Sequence, residues 1–284
     1  MKIAMIGGDR RAVLLAGLLR EEGHRVRSFA LERAELPEGV ERSEHLQGAL
    51  YGADAVVLPL PVERGGWLNA PYARLPCALP ELQEALWPGP TVFGGLFPAD
   101  FQRAAAGRFL PLVDWMRRPA FVWGNAALTA EGALGLLLTE SEGSLAGSRA
   151  LVSGFGRVGR LTAQKLAALG ARVTVAARRA ESRAQAEALG FEALDFDELQ
   201  SAYAFVVNTV PERVLGEGFL CCLPETALLL ELASAPGGFD RNLAENLGLR
   251  CLAAPGLPGR SAPRAAAELM LREIHTALKE EDSL

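Results

Sequence analysis

The hexapeptide Gly154-Phe155-Gly156-Arg157-Val158-Gly159 is the stretch whose residue types and spacing imply chemistry most directly. It follows the apolar run Arg149-Ala150-Leu151-Val152-Ser153 and opens a helix-patterned segment that reaches Leu169. In that context G-x-G-x-x-G reads as a dinucleotide-binding turn. The first glycine permits the tight turn, the second lets a pyrophosphate approach the backbone, and the third lets helix and strand pack closely. The helix start adds N–H groups and the positive end of the helix dipole. The following strand, Arg172 to Ala176, continues as Ala177-Arg178-Arg179, with no carboxylate where an NAD site places one for the ribose 2′-hydroxyl. Guanidinium groups suit a 2′-phosphate. Ala177, Arg178 and Arg179 therefore predict NADP, with NAD as the alternative.

Three later loops also follow strand-like runs. Asn208-Thr209-Val210-Pro211 ends the run from Phe205, Ala233-Ser234 follows Leu228 to Glu231, and Pro255-Gly256-Leu257-Pro258-Gly259 follows Arg250 to Leu252. Ligands of open α/β sheets bind outside the carboxyl ends of the strands. The first two loops are thus expected to contact the cofactor, through backbone groups and Asn208. The histidines, His24, His45 and His275, lie outside all these loops. Cys77, Cys221, Cys222 and Cys251 show no metal-ligand or disulfide spacing, so no metal is expected.

The elements that must position these loops repeat one grammar twice. Lys2 to Ile6, Gly7-Gly8, a helix from Arg10 and a strand Arg25 to Phe29 mirror the unit beginning at Arg149. Asp54 to Leu58, Thr91 to Phe93 and Phe109 to Val113 add further strands. Such alternation predicts an α/β fold: two Rossmann-like parallel-sheet domains with a cleft between them. A helix starting at Thr129 is expected to carry the chain across. The predicted domains are 1–140, a substrate domain completed by a C-terminal helix over 263–284, and 141–262, the NADP domain. The first glycine loop has no third glycine in register, and Asp9 would repel a phosphate, so no dinucleotide is expected there.

The 284 residues are 50% hydrophobic and 22% charged, with a net charge of −5. That balance excludes a disordered chain and leaves nucleic-acid binding without an electrostatic footprint. Apolar runs such as Ala133 to Leu138 fall short of the roughly 20 residues of a membrane span. Asp9, Arg10 and Arg11 interrupt any signal-peptide core. A soluble, cytoplasmic protein is the expectation.

Several of these loops together resemble the A chain of bacterial dipicolinate synthases. The matching stretches are Ile6-Gly7-Gly8-Asp9 with Arg11, Leu58-Pro59, Asn69-Ala70-Pro71, Asn125 with Thr129, Glu131 and Gly132, and the dinucleotide loop. Asn208 to Pro211, Leu232-Ala233-Ser234 with Pro236-Gly237-Gly238, and Ala254 to Gly259 with Ala262-Pro263 complete them. Leu128 and Arg264 depart from the pattern, which has proline and lysine at those places.

The resemblance implies NAD(P)-dependent oxidation of a dihydrodipicolinate-type intermediate to dipicolinate, in the mother cell of a sporulating bacterium. It also implies an oligomer and, as partner, the smaller, flavoprotein-like B chain of dipicolinate synthase. A dicarboxylate substrate needs cations, for which Arg11, Arg64, Arg260 and Arg264 are candidates, with Arg11 and Arg264 the preferred pair. Thr129, capping its helix, is a further substrate contact, and Asp9 and Glu131 are candidate proton acceptors. Two alternatives remain open. One is another NADP oxidoreductase acting on a small carboxylated imine or enamine; the other is a non-catalytic NADP(H)-binding or scaffold protein.

Overall fold

The computed structural model describes residues 1–199 and 202–281. The chain forms two compact units, Met1–Asn125 with the chain from Ala262 onward, and Ala126–Ser261.

In the first unit the strands are β1 (Lys2–Ile6), β2 (Arg25–Phe29), β3 (Glu41–Arg42), β4 (Ala55–Val57), β5 (Glu63–Arg64), β6 (Trp67–Leu68), β7 (Thr91–Gly94) and β8 (Leu112–Asp114). Between them run α1 (Arg10–Glu21), α2 (Leu46–Leu50), α3 (Leu79–Ala85) and α4 (Ala99–Gly107). β5 and β6 form a separate antiparallel hairpin. The other six strands make one sheet, ordered β3-β2-β1-β4-β7-β8, with every pairing parallel. Side chains of β1 alternate between two cores: Ala4 and Ile6 enter one, Ile3 and Met5 the other. That is the two-sided burial a sheet covered on both faces requires.

The second unit repeats the plan with β9 (Arg149–Ser153), β10 (Arg172–Ala176), β11 (Glu192–Leu194), β12 (Phe205–Asn208), β13 (Leu228–Glu231) and β14 (Arg250–Ala253). Its sheet order, β11-β10-β9-β12-β13-β14, is the same doubly wound order. The helices are α5 (Pro119–Glu140), which spans the division between units, then α6 (Arg157–Ala168), α7 (Ala180–Ala188), α8 (Glu217–Leu220), α9 (Arg241–Asn246) and α10 (Leu257–Ser261). The last helix, α11 (Pro263–Glu281), belongs to the first unit. There Arg118 grips it: Nε reaches Glu273 at 2.9 Å, and the two terminal nitrogens reach Glu280 at 2.8 and 2.9 Å. The Arg118 hydrogen bond holds the Glu280 carboxyl below its usual range.

Two element expectations are corrected. The helix through Thr129 begins ten residues earlier, at Pro119, because proline is favourable in a first turn and nothing in 119–128 breaks the helix. Thr129 is therefore interior and not a cap. The strand expected from Phe109 starts at Leu112; Phe109 has a left-handed backbone, φ +55°, and an exposed ring. The division between units also falls inside α5 rather than near 140.

At 22 residues α5 is long and apolar enough to cross a membrane by length and composition, a property invisible when only its uninterrupted apolar runs are measured. Ala126, Ala130, Ala133 and Leu137 form a buried stripe at helical spacing, and Ala133 and Leu137 belong to the core of the second unit.

Candidate cofactor and active site

The dinucleotide loop joins β9 to α6 as its spacing requires. Gly154 has φ +89°, and a Cβ there would meet the Thr209 hydroxyl at 2.6 Å. A Cβ on Gly159 would overlap the Gly154 carbonyl oxygen, whereas one on Gly156 would point into open space. So two of the glycines permit close packing, and the middle one leaves the backbone open to a ligand. Gly156 caps α6 without a side-chain hydrogen bond. The main-chain N–H groups of Gly156, Val158 and Gly159 have no acceptor among the described residues. That donor set fits a pyrophosphate. Phe155 is buried beneath the loop, edge-on to Phe191 at 6.2 Å, with the Arg160 guanidinium 5.2 Å from its ring centre. Arg157 is exposed in the first turn of α6.

At the end of β10, Ala177 is buried while Arg178 and Arg179 are exposed. Arg178 pairs with Glu212 at 2.7 Å, and both side chains are more than half exposed. Arg179 precedes α7 and holds no ion pair among the described residues. Arg183, one turn into α7, fixes this corner. Its Nη1 donates to the carbonyls of Ala177 and Arg178 and to Asp195, at 2.7, 2.8 and 2.7 Å. Spacing and composition assign no role to Arg183 or Glu212; the structure supplies both.

β9, β12 and β13 end side by side in polar residues, with Ser153 in register with Asn208 and Asn208 with Glu231. Asn208 is fully buried. Its Oδ1 accepts from the Ser153 hydroxyl and from Val210 N–H (3.1 Å); its Nδ2 donates to Val210 O (2.8 Å) and Glu231 Oε1 (2.6 Å). The expected cofactor contact through the Asn208 side chain is therefore corrected, since the amide is consumed inside the protein. Thr209 donates to Ser153 O at 2.7 Å, and Val210 and the exposed Pro211 continue the loop. Ala233 and Ser234 open the loop after β13, beside a cavity of about 270 Å3 also lined by Pro236, Cys251, Ala253 and Pro255. Burial pushes the Cys251 thiol up to about 11, so it lines this cavity as a neutral group.

The expected substrate and proton-transfer residues are less gathered. In the first unit Asp9 caps α1, accepting from Arg11 N–H at 3.0 Å, and pairs with the buried Arg11 guanidinium at 2.8 Å. Arg11 Nη2 also donates to Leu60 O at 2.5 Å. Arg64 lies exposed on the β5–β6 hairpin, and Arg264 pairs with Glu268 one turn along α11 at 3.1 Å. In the second unit Glu131 pairs with Lys165 at 3.1 Å, and Arg260 is exposed on α10. Both candidate proton acceptors thus sit in ion pairs. Among the described residues Arg64 and Arg260 have none.

Both units are similar to domains of known proteins. Residues 2–116 match the family of N-terminal domains of the dipicolinate synthase A subunit. Over 99% of this chain and 96% of its own length, the dipicolinate synthase A subunit of Bacillus subtilis (strain 168) is 29% identical. The chain is similar to the dipicolinate synthase A chain throughout. The crystal structure of the Bacillus subtilis dipicolinate synthase A chain superposes with a TM-score of 0.84 at 28% identity, covering 100% of this chain and 97% of that one. The A-chain structure from Bacillus halodurans gives 0.81 at 27%, covering 98% and 97%. Residues 132–233 match the NAD-binding domain of D-isomer specific 2-hydroxyacid dehydrogenases. The chain is accordingly an oxidoreductase of the nicotinamide-dependent kind, with its dinucleotide fold built on β9, β10, β12 and β13.

Proposed function

We propose that the chain oxidises a dihydrodipicolinate-type intermediate to dipicolinate, using NADP, as the A chain of a two-component sporulation enzyme. The observation that carries the reading is an intact dinucleotide loop in a chain similar to the dipicolinate synthase A chain from end to end. A nicotinamide bound there would accept a hydride while the ring gives up one proton and becomes aromatic. The protein's task is then chiefly to hold two planar reactants face to face. The N–H groups of the Gly154–Gly159 loop would hold the pyrophosphate. Arg260, an exposed guanidinium with no ion pair among the described residues, is the proposed carboxylate binder of the second unit.

The test is turnover. Purified protein, NADP+ and the dihydrodipicolinate precursor, with the flavoprotein-like B chain, are expected to yield the ultraviolet spectrum of a pyridine dicarboxylate together with NADPH. Absence of the pyridine product, with cofactor bound, would overturn the substrate assignment. Omitting the B chain distinguishes an active A chain from a scaffold.

The preference for NADP rests on Arg178 and Arg179. The Arg178–Glu212 pair is exposed, and such pairs contribute only about 0–1 kcal/mol, so a 2′-phosphate can displace Glu212 at little cost. Replacing both arginines by alanine is expected to weaken NADP+ about tenfold or more, the loss of charge-assisted bonds of roughly 1.5–3 kcal/mol, while NAD+ binding stays within about twofold. Equal losses for both cofactors, measured by calorimetry, would remove the 2′-phosphate argument.

A further inference from the structure

The carboxyl edge of the second sheet contains one charged group that the cofactor reading leaves without a role. Glu231 ends β13 after three buried leucines, Leu228 to Leu230. Its carboxylate is half-buried and accepts three hydrogen bonds. Oε1 takes Asn208 Nδ2 at 2.6 Å and Ala233 N–H at 2.9 Å; Oε2 takes Gly238 N–H at 2.8 Å. The loop is shaped around it. A Cβ on Gly237 would lie 2.7 Å from Glu231 Oε2, and one on Gly238 would overlap the Asn208 amide. The Gly238 carbonyl in turn accepts from Val214 and Leu215 N–H, both at 2.9 Å. One carboxylate therefore ties the loop after β13 to the loop after β12, and through Asn208 to Ser153 at the end of β9.

We infer that Glu231 is a positioning residue for the nicotinamide half of the cofactor site, acting through Asn208 and the 233–238 loop. The physical reason is directional. In a doubly wound sheet the two halves of the dinucleotide lie on either side of the switch point, here between β9 and β12. The adenosine side is served by the end of β10, which Glu231 does not touch. The other side is served by the loops after β12 and β13, both of which it holds. Ser234 and Ala235 N–H have no acceptor among the described residues, so the clamped loop presents donors that its own fold does not use. A carboxylate can accept from three converging donors; a glutamine amide cannot, since its NH2 would oppose one of them.

The inference rests on the cofactor reading above, and its test separates the two. Calorimetry compares NADP+ with 2′,5′-ADP, and NAD+ with ADP, on the full chain, E231Q and E231D. E231Q is expected to bind the whole dinucleotides about tenfold more weakly, the loss of a hydrogen bond to a charged group, with the adenosine fragments changed by less than about twofold. E231D, which keeps the charge on a shorter arm, recovers part of the loss and supplies the same comparison if E231Q does not fold. A residue that merely stabilised the domain would weaken fragment and whole ligand alike. That outcome, or unaltered dinucleotide binding, overturns the inference alone. Failure of the unaltered protein to bind any of the four would overturn the cofactor reading and this inference with it.

Discussion

Replacing Gly159 by alanine is expected to abolish useful dinucleotide binding, a loss of at least about a hundredfold, the scale set by misplacing a binding group by an ångström. The added methyl group would overlap the Gly154 carbonyl oxygen, which is backbone and cannot rotate away. Either α6 must retreat from β9 or the loop must open, and both moves displace the N–H groups that a pyrophosphate would use. Gly156→Val is the informative companion. A Cβ at that position meets nothing within 4 Å in the protein itself, so the fold should survive while the ligand's approach is blocked. Fluorescence titration with NADPH reads the binding, and urea unfolding reads the stability. G159A should lose both; G156V should lose binding and keep its stability to within about 0.5 kcal/mol, the range of neutral surface changes. Unimpaired binding by G159A would mean that the dinucleotide does not sit on this loop.

The parts of the fold legible in the sequence are those with a strong period and a marked end. β1, β9, β10, β12 and β13 are short β-branched or leucine runs between turn residues, and each occurs where its run predicts it. β3 and β11 escape because a two- or three-residue edge strand such as Glu41–Arg42 carries too few residues to show any alternation. The start of α5 is misplaced by sequence because Thr129 has the chemistry of a cap, and cap chemistry competes with helix continuity only where a terminus exists. The 119–140 segment has no glycine pair or internal proline to create one. Two of its single glycines pack against neighbours: Gly124 against Leu269, Gly132 against Leu257 and Ser261.

The candidate site divides the same way. The glycine loop and the twin arginines are readable because backbone shape and fixed spacing define them. The network around Asn208 is not, because its meaning lies in register across three strands. Each run ends in one polar residue, Val152-Ser153, Val207-Asn208 and Leu230-Glu231, but only the parallel pairing of β9, β12 and β13 aligns those ends. A glutamate closing an otherwise apolar strand is the available signal, since a charge at a buried strand end needs partners. Arg183 lacks even that, being one of many charged residues on a helix. Long-range bonds are equally hidden: Glu131 meets Lys165 across 34 positions of sequence, and Arg11's bond to Leu60 spans 49 positions.

The largest effect on stability is expected from Arg11→Ala, at about 1.5–3 kcal/mol, the loss of hydrogen bonds to a charged group in a part-buried ion pair. The Arg11 side chain is only 8% exposed. Its Nε and Nη2 contact both oxygens of Asp9, at 3.0, 3.2 and 2.8 Å, and Nη2 also meets Leu60 O at 2.5 Å. Alanine leaves the Leu60 carbonyl without that donor, and Asp9 keeps only the backbone N–H bond of its capping role. Lysine keeps the charge but cannot span both oxygens and the carbonyl from one ammonium, so R11K should lose about 1–2 kcal/mol. Urea unfolding of both variants checks the order, and a cycle with D9A isolates the pair. A loss below about 1 kcal/mol for R11A would show that the guanidinium is not needed by the fold. The same variants read the substrate question. Arg11 Nη1 has no hydrogen-bond partner among the described residues, while the other edge of the guanidinium is fixed by Asp9. If Nη1 binds substrate, R11K, which folds, should raise KM with kcat little changed; if Arg11 serves the fold alone, R11K should lower the unfolding midpoint and leave KM where it was.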